Sequence, residues 1–341
     1  MEASGLQITW YILFGVLIIG YAILDGFDLG VGVLSLFGKR GEERRKYLNA
    51  IGPVWDGNEV WLLTAGGALF AAFPPVYATL FSGFYLVLML LLLGLIFRAV
   101  SIEFRGKVAD PRWQSFWDWG FGLGSFLPAL LFGVAVGNVL RGVPLDTAGE
   151  YAGGFITLLN PYSLLLGTLG LVMFVCHGAI YMALKSEGEL RESMLRWAML
   201  GWMAWVVLYV LSTFYSTMIS PWLFEGQFAS FIFWPVFLVF LLSMLAIPLM
   251  LRAQHFGRAF IASSLSIATM IALPALGLFP RLLPELGDPS GGLTIINASS
   301  TLTTLKTMLK IALIGMPLVI FYTAFIFRVF KGRVVIEEES Y

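Results

Sequence analysis

Residues 76–97, VYATLFSGFYLVLMLLLLGLIF, run for 22 positions without a charged side chain. A hydrocarbon layer about 30 Å thick is crossed by roughly 20 residues of helix. With no water to bond the backbone there, each crossing segment has to satisfy its own N–H and C=O groups, which a helix does. Reading the chain on this scale predicts nine spans, at about 8–36, 53–73, 76–100, 113–140, 161–184, 195–217, 228–250, 257–280 and 304–330. Composition agrees: 59% of the residues are hydrophobic, 12% are charged, and the mean hydropathy is +0.86. These values belong to an all-α polytopic membrane protein. Pro74 and Pro75 divide the second span from the third, a helix stop followed by a permitted start. The charged segments GKRGEERRK, RGKVADPR, KSEGELRES and RAQHFGR mark four further breaks. Residues 281–303 form the longest expected loop and show no helical periodicity. The first ten residues, MEASGLQITW, carry no Lys or Arg, so the first span is expected to be retained rather than cleaved as a signal.

Nine spans place the termini on opposite sides, and the basic residues say which is which. With the N-terminus outside, the inner segments hold Lys39, Arg40, Arg44, Arg45, Lys46, Arg98, Arg105, Lys107, Arg112, Lys185, Arg191, Arg196, Arg252, Arg258, Arg328, Lys331 and Arg333. That is 17 of the 21 basic residues. The expected topology is therefore N-terminus outside and C-terminus cytoplasmic. Spans one and five run the same way, and Asp25-Gly26 and His177-Gly178 each lie 16 residues after the start of their span, taken at Thr9 and Pro161. This suggests two four-helix units, repeated in parallel, plus a ninth helix. The corresponding division is 1–150, 151–285 and 286–341.

Depth along each span gathers the buried charges at one level. Asp25 and Asp28 lie past the middle of an inward-running helix; Asp56 and Glu59 open an outward-running one; Asp118 lies early in the fourth span; Arg98 closes the third. All fall in the cytoplasmic half of the first unit. A carboxylate in hydrocarbon is costly unless paired, hydrated or protonated. One reading is structural: acids paired with Arg98 set helix register, and glycines at 26/30, 120/124 and 133/137 bring helices close. The other is proton uptake, which needs acids at one depth, open to one side. His177 is expected to be a polar packing residue. Haem axial ligation needs a second His, Met or Cys on a facing helix; His255 lies in an inner loop, and the thirteen methionines leave a His/Met pair formally open, although most lie in apolar runs where packing is the default. The single cysteine, Cys176, rules out an internal disulfide. Several tryptophans near span ends, among them Trp10, Trp55, Trp113 and Trp222, read as interfacial anchors. There is no phosphate-binding glycine loop, helical His pair for a metal or nucleophile elbow, and the short basic loops do not indicate nucleic-acid binding.

The stretches GYAILDGFDLGVG (20–32), PVWDGNEVWLLTAGGALFAAFP (53–74), FSGFY (81–85) and RWQSFWDWGFGLGSFLPALLFGVAVGN (112–138) resemble subunit II of cytochrome bd-type quinol oxidases. The resemblance extends over the whole chain in length and span count, with its specific motifs in the first 145 residues. It implies a respiratory terminal oxidase of a prokaryotic cytoplasmic membrane that oxidises quinol and reduces O2 to water, with the nine spans of this chain set as two four-helix bundles plus a peripheral helix. It further implies that haems b and d lie in a partner, subunit I, and that this chain ligates none of them. Small single-span subunits are a further implied partner. Asp25 and Asp56 fall on the family's acidic motif positions as proton-relay candidates, with Asp28, Glu59 and Asp118 beside them and Arg98 as charge partner; Glu59 sits where some members are expected to carry glutamine. A proton-coupled secondary transporter is the rival reading, weakened by the parallel repeat and by the lack of paired Gly/Pro-broken helices.

Overall fold

The computed structural model describes residues 3–334 apart from Arg40; Arg40 and the expected cytoplasmic tail beyond residue 334 lie outside the described residues. The helices are α1 (Gly5–Ser35), α2 (Glu42–Ile51), α3 (Trp55–Ala72), α4 (Pro74–Gly83), α5 (Tyr85–Phe104), α6 (Pro111–Arg141), the single turn α7 (Phe155–Leu158), α8 (Pro161–Lys185), α9 (Gly188–Ile219), α10 (Phe233–Arg252), α11 (Phe256–Leu278) and α12 (Leu302–Val329). Among the described residues, eight segments are long and apolar enough to cross a membrane. The remaining expected span is α3, an 18-residue helix whose opening turns hold Asp56, Asn58 and Glu59. Their polarity sets it apart from the other eight.

Three local expectations are corrected. The span expected at 76–100 is two helices, α4 and α5, parted at Phe84. Gly83 lies against the Tyr151 ring there, with no room for a side chain. The GKRGEERRK break contains α2, whose Glu42 and Glu43 open its first turn, where acids complement the helix dipole. The 281–303 loop holds an antiparallel hairpin, β1 (Arg281–Glu285) and β2 (Asp288–Thr294), on both sides of residue 285. The hairpin is joined to the end of α6 by backbone bonds from Val143 N to Pro284 O and from Leu286 N to Val143 O.

Helix α1 is central and packs on α3, α6, α8, α11 and α12. Helices α5 and α6 complete the first group, while α8 pairs with α9 and α10 with α11 in the second. The two groups meet along α1, α6 and α8. Gly30 and Gly178 make the α1–α8 approach: a Cβ on either would collide with the other helix's backbone. Gly124 does the same for α6 on α5, beside the backbone of Arg98. Helix α12 is peripheral, with only Leu305 buried. Trp10, expected as an interfacial anchor, is instead buried and donates its indole N–H to Leu305 O at 2.9 Å.

Candidate functional site

The helix crossings carry four of the five candidate acids into the protein interior or its edge, in two separate clusters. In the first, Arg98 is fully buried on α5, and its Nη2 donates to Asp25 Oδ1 on α1 at 2.6 Å and to Glu59 Oε1 on α3 at 2.5 Å. Asp25 is also fully buried, whereas the Glu59 side chain is 23% exposed. Asp28, one turn after Asp25, is fully buried and accepts from Asn58 Nδ2 at 2.8 Å. The same Asn58 amide donates to Leu24 O at 3.1 Å, tying α3 to α1. Around them, Tyr21 Oη, Trp61 Nε1, Asp25 Oδ2, Asp28 Oδ1 and Arg98 Nε and Nη1 are buried polar atoms without a protein partner. Unmatched donors and acceptors are costly in a low-dielectric interior, which favours a proton on one of the carboxyls.

The second cluster surrounds Asp118 on α6. Its Oδ2 accepts from Arg44 Nη1 on α2 at 3.1 Å, and its Oδ1 from Arg105 Nε, just beyond α5, at 2.5 Å. All three side chains are buried. Asp118 is therefore not a partner of Arg98. Nearby, burial pushes the Tyr47 phenol on α2 upward, with the Glu43 carboxylate adding to it. Asp56 joins neither cluster. It stands exposed on α3 one turn before Glu59, on a strip continued by Val60, Leu63 and Phe70.

His177 lies elsewhere, at the meeting of α1, α8 and α11. Its ring nitrogens bond Ser263 Oγ at 2.7 Å and Ile23 O at 3.2 Å, and the ring stacks on Phe260 at 4.6 Å. Both nitrogens are engaged, as in a packing histidine. Sequence reading missed Asn58, Arg44 and Arg105 as parts of these clusters. Asn58 was visible as the polar residue directly before Glu59 in the same motif, while the arginines were counted only toward topology.

Residues 6–330 match the family model described as cytochrome bd terminal oxidase subunit II. The cytochrome bd-I ubiquinol oxidase subunit 2 of Escherichia coli (strain K12) is 37% identical over an alignment of 365 residues, covering 98% of this chain and 96% of the relative. The cytochrome bd ubiquinol oxidase subunit 2 of Bacillus subtilis (strain 168) is 34% identical over 336 residues, covering 97% of each chain. Among solved structures, the bd oxidase from Geobacillus thermodenitrificans superposes with a TM-score of 0.81 at 18% identity, covering 96% of this chain and 99% of that one, a likeness of fold.

Proposed function

The chain belongs to the cytochrome bd terminal oxidase subunit II family, and from that premise we propose that it serves a quinol:O2 oxidoreductase complex as the subunit that ligates no haem. It stabilises a haem-bearing subunit I, which holds haems b and d and takes electrons from quinol, and its acids contribute to proton uptake from the cytoplasm. The 17 to 4 asymmetry of basic residues supports a multi-pass orientation with the C-terminus cytoplasmic, so the acid clusters open toward the cytoplasmic side. The division into units 1–150, 151–285 and 286–341 belongs to the same proposal.

One observation carries the proton reading: three buried or half-buried carboxyls, Asp25, Asp28 and Glu59, have a single guanidinium among them. A cluster needing only to set register would be matched in charge. Asp56 supplies the outward link. An acid on the lipid face of a spanning helix is strongly disfavoured, so the exposed α3 strip that carries it is assigned to the interface with subunit I. His177, with both ring nitrogens bonded inside the chain, is assigned no haem.

The test uses assembled complexes of normal haem content. Asp25→Asn and, separately, Asp56→Asn keep side-chain size and hydrogen bonding but remove the exchangeable acid. Quinol-driven O2 consumption is expected to fall, with a deficit that grows at alkaline pH where protons are scarce. A proton-transfer step contributes about 10²–10⁴-fold when it limits the rate, which bounds the loss. Wild-type turnover across the pH range in both variants and in the double variant would refute the relay.

A further inference from the structure

The hydrogen bonds around Asp28 locate a proton. Asn58 Nδ2 faces two oxygens, Leu24 O at 3.1 Å and Asp28 Oδ2 at 2.8 Å. A backbone carbonyl only accepts, so the Asn58 atom facing Leu24 O has to be the amide nitrogen, which removes the usual ambiguity of amide orientation. Its second hydrogen then points at Asp28 Oδ2, which is the accepting oxygen of that carboxyl. Asp28 Oδ1 has no protein partner and is sealed from the surface.

Of the donors around it only Asn58 bonds the Asp28 carboxyl; Trp61 Nε1 and Arg98 Nε and Nη1 are buried without a protein partner and make no bond to it. Tyr181 on α8 donates its hydroxyl to Ala50 O at 3.0 Å. The bonded nitrogen of Arg98 is shared between Asp25 and Glu59. Among the described residues no cationic side chain is ion-paired with Asp28. An ionised Asp28 would thus be a fully buried anion held by one neutral amide hydrogen bond, with the Asp25 carboxyl one turn away. Buried charge without a counter-ion is among the most costly arrangements a protein can hold, and a carboxyl in that position takes up a proton instead. Were Asp25, Asp28 and Glu59 all ionised, the cluster around Arg98 would carry two uncompensated negative charges.

We infer that Asp28 is a neutral carboxylic acid at rest, its proton on Oδ1 and its carbonyl oxygen held by Asn58, so that this residue is the stored proton of the cluster. The residue types fit a store set apart from the exchange point. Asp28 is inaccessible, whereas Glu59 is the member of the Arg98 group that reaches the surface. The use of the stored proton in turnover rests on the proton-uptake reading given above; its location does not.

Infrared spectroscopy of the purified oxidase complex tests the location directly. Labelling wild-type protein with aspartate carrying ¹³C in its side-chain carboxyl is expected to move one band in the protonated-carboxyl C=O region. Asp28→Asn is expected to abolish that band with haem content unchanged, since it replaces a neutral acid by a neutral amide of the same shape. Glu59→Gln is expected to retain it. Asn58→Ala is expected to move it to higher frequency, because the carbonyl loses its hydrogen bond. The inference is overturned if no protonated-carboxyl band moves on labelling, a readout that requires no variant to fold. It is overturned equally if the band survives Asp28→Asn in an assembled complex. O2 consumption separates the two claims: an Asp28→Asn complex that loses the band but turns over normally supports the stored proton and refutes its part in the relay.

Discussion

Asp118 sits between two guanidiniums, whereas Arg98 sits between two carboxylates with a third one turn away. Both clusters are buried, both lie toward the basic-loop side, and both join helices distant in sequence. Their charge balances are opposite. Counting formal charges, Arg44, Arg105 and Asp118 sum to one positive charge, and a proton on Asp118 would take the group further from neutrality. Arg98, Asp25, Asp28 and Glu59 sum to two negative charges, and each proton gained brings them nearer to it. In a medium that penalises net charge, this difference separates a clamp from a site that can load protons. Of the five acids picked out by depth, we propose Asp118 on this ground as a clamp that holds α2 and the end of α5 to α6.

The most severe way to break the contrast is to remove the central cation of the acid-rich cluster. Arg98→Met leaves Asp25 and Glu59 without a counter-charge, and disrupting one partner of a buried pair costs about 3–5 kcal/mol. Loss of the assembled, haem-containing complex is the expected outcome, read from purification yield and visible absorbance. Adding Asp25→Asn and Glu59→Gln to Arg98→Met removes the surplus charge, and assembly should return while turnover does not. Failure of that triple variant to recover would show that Arg98 acts by packing, through its stem, rather than by charge.

The clamp is expected to be less sensitive. In Asp118→Asn the side-chain oxygen still accepts from one arginine, but two buried guanidiniums lose their shared counter-charge, so the loss reaches the lower end of the range for a broken buried pair, about 3 kcal/mol. Thermal unfolding of the purified complex should shift downward, with haem spectrum and the pH profile of O2 consumption unchanged. A pH profile altered as in Asp25→Asn would erase the distinction between the two clusters.

The sequence made the level of the charges readable, but not their pairing. Depth along a span follows from counting residues, so the gathering of Asp25, Asp28, Glu59 and Arg98 was legible from their positions in the chain. Rotation about each helix axis was not, because α3 carries apolar residues nearly all round and gives no face away. That is why Asp56 and Glu59, one turn apart, could not be sorted into an exposed and a bonded acid. Arg44 was hidden for a different reason. It lies in a charged segment that read as a loop, yet α2 turns that residue inward to Asp118 while Glu42 stays exposed. The close approaches at Gly30 and Gly124 were better marked, since small residues four apart signal helix contact without reference to rotation elsewhere. The hairpin over Arg281–Thr294 was the hardest to foresee: Pro284 stands inside its first strand, where proline argues against regular pairing, and a register shift follows it.

His177 provides a buried polar site with no surplus charge against which both clusters can be measured. Replacing it by phenylalanine preserves the stack on Phe260. Ser263 Oγ keeps its own bond to Phe260 O at 2.9 Å, so little is left unsatisfied. A destabilisation of about 1 kcal/mol is expected, in line with a neutral hydrogen bond, with the haem content and visible spectrum of the complex intact. Disappearance of one haem signal from an otherwise assembled complex would overturn the assignment of all haem ligation to the partner.

The smallest effect belongs to an ion pair of the same residue types placed in water. Lys39 Nζ meets Glu189 Oε2 at 2.8 Å between the end of α1 and the start of α9, with both side chains largely exposed. The hydrogen bond from Lys39, followed by its charge, holds the Glu189 carboxyl below its ordinary value, and the same bond raises the Lys39 ammonium. The signs define where the pair acts. A depressed acid contributes above its unfolded pKa, about 4.3 for Glu, and its contribution is lost as pH falls through the folded value. A raised amine contributes below its unfolded pKa, about 10.4 for Lys, and its contribution is lost as pH rises through the folded value. The pair is therefore complete across the neutral range and weakens only toward either extreme. Solvent and salt screen it throughout. Lys39→Ala is expected to leave the melting temperature of the complex unchanged at physiological ionic strength and to produce at most a slight decrease at low salt. A decrease as large as that of Asp118→Asn would mean that burial is not what distinguishes the clusters from an ordinary surface pair, and the charge-balance argument for a proton-loading site would lose its basis.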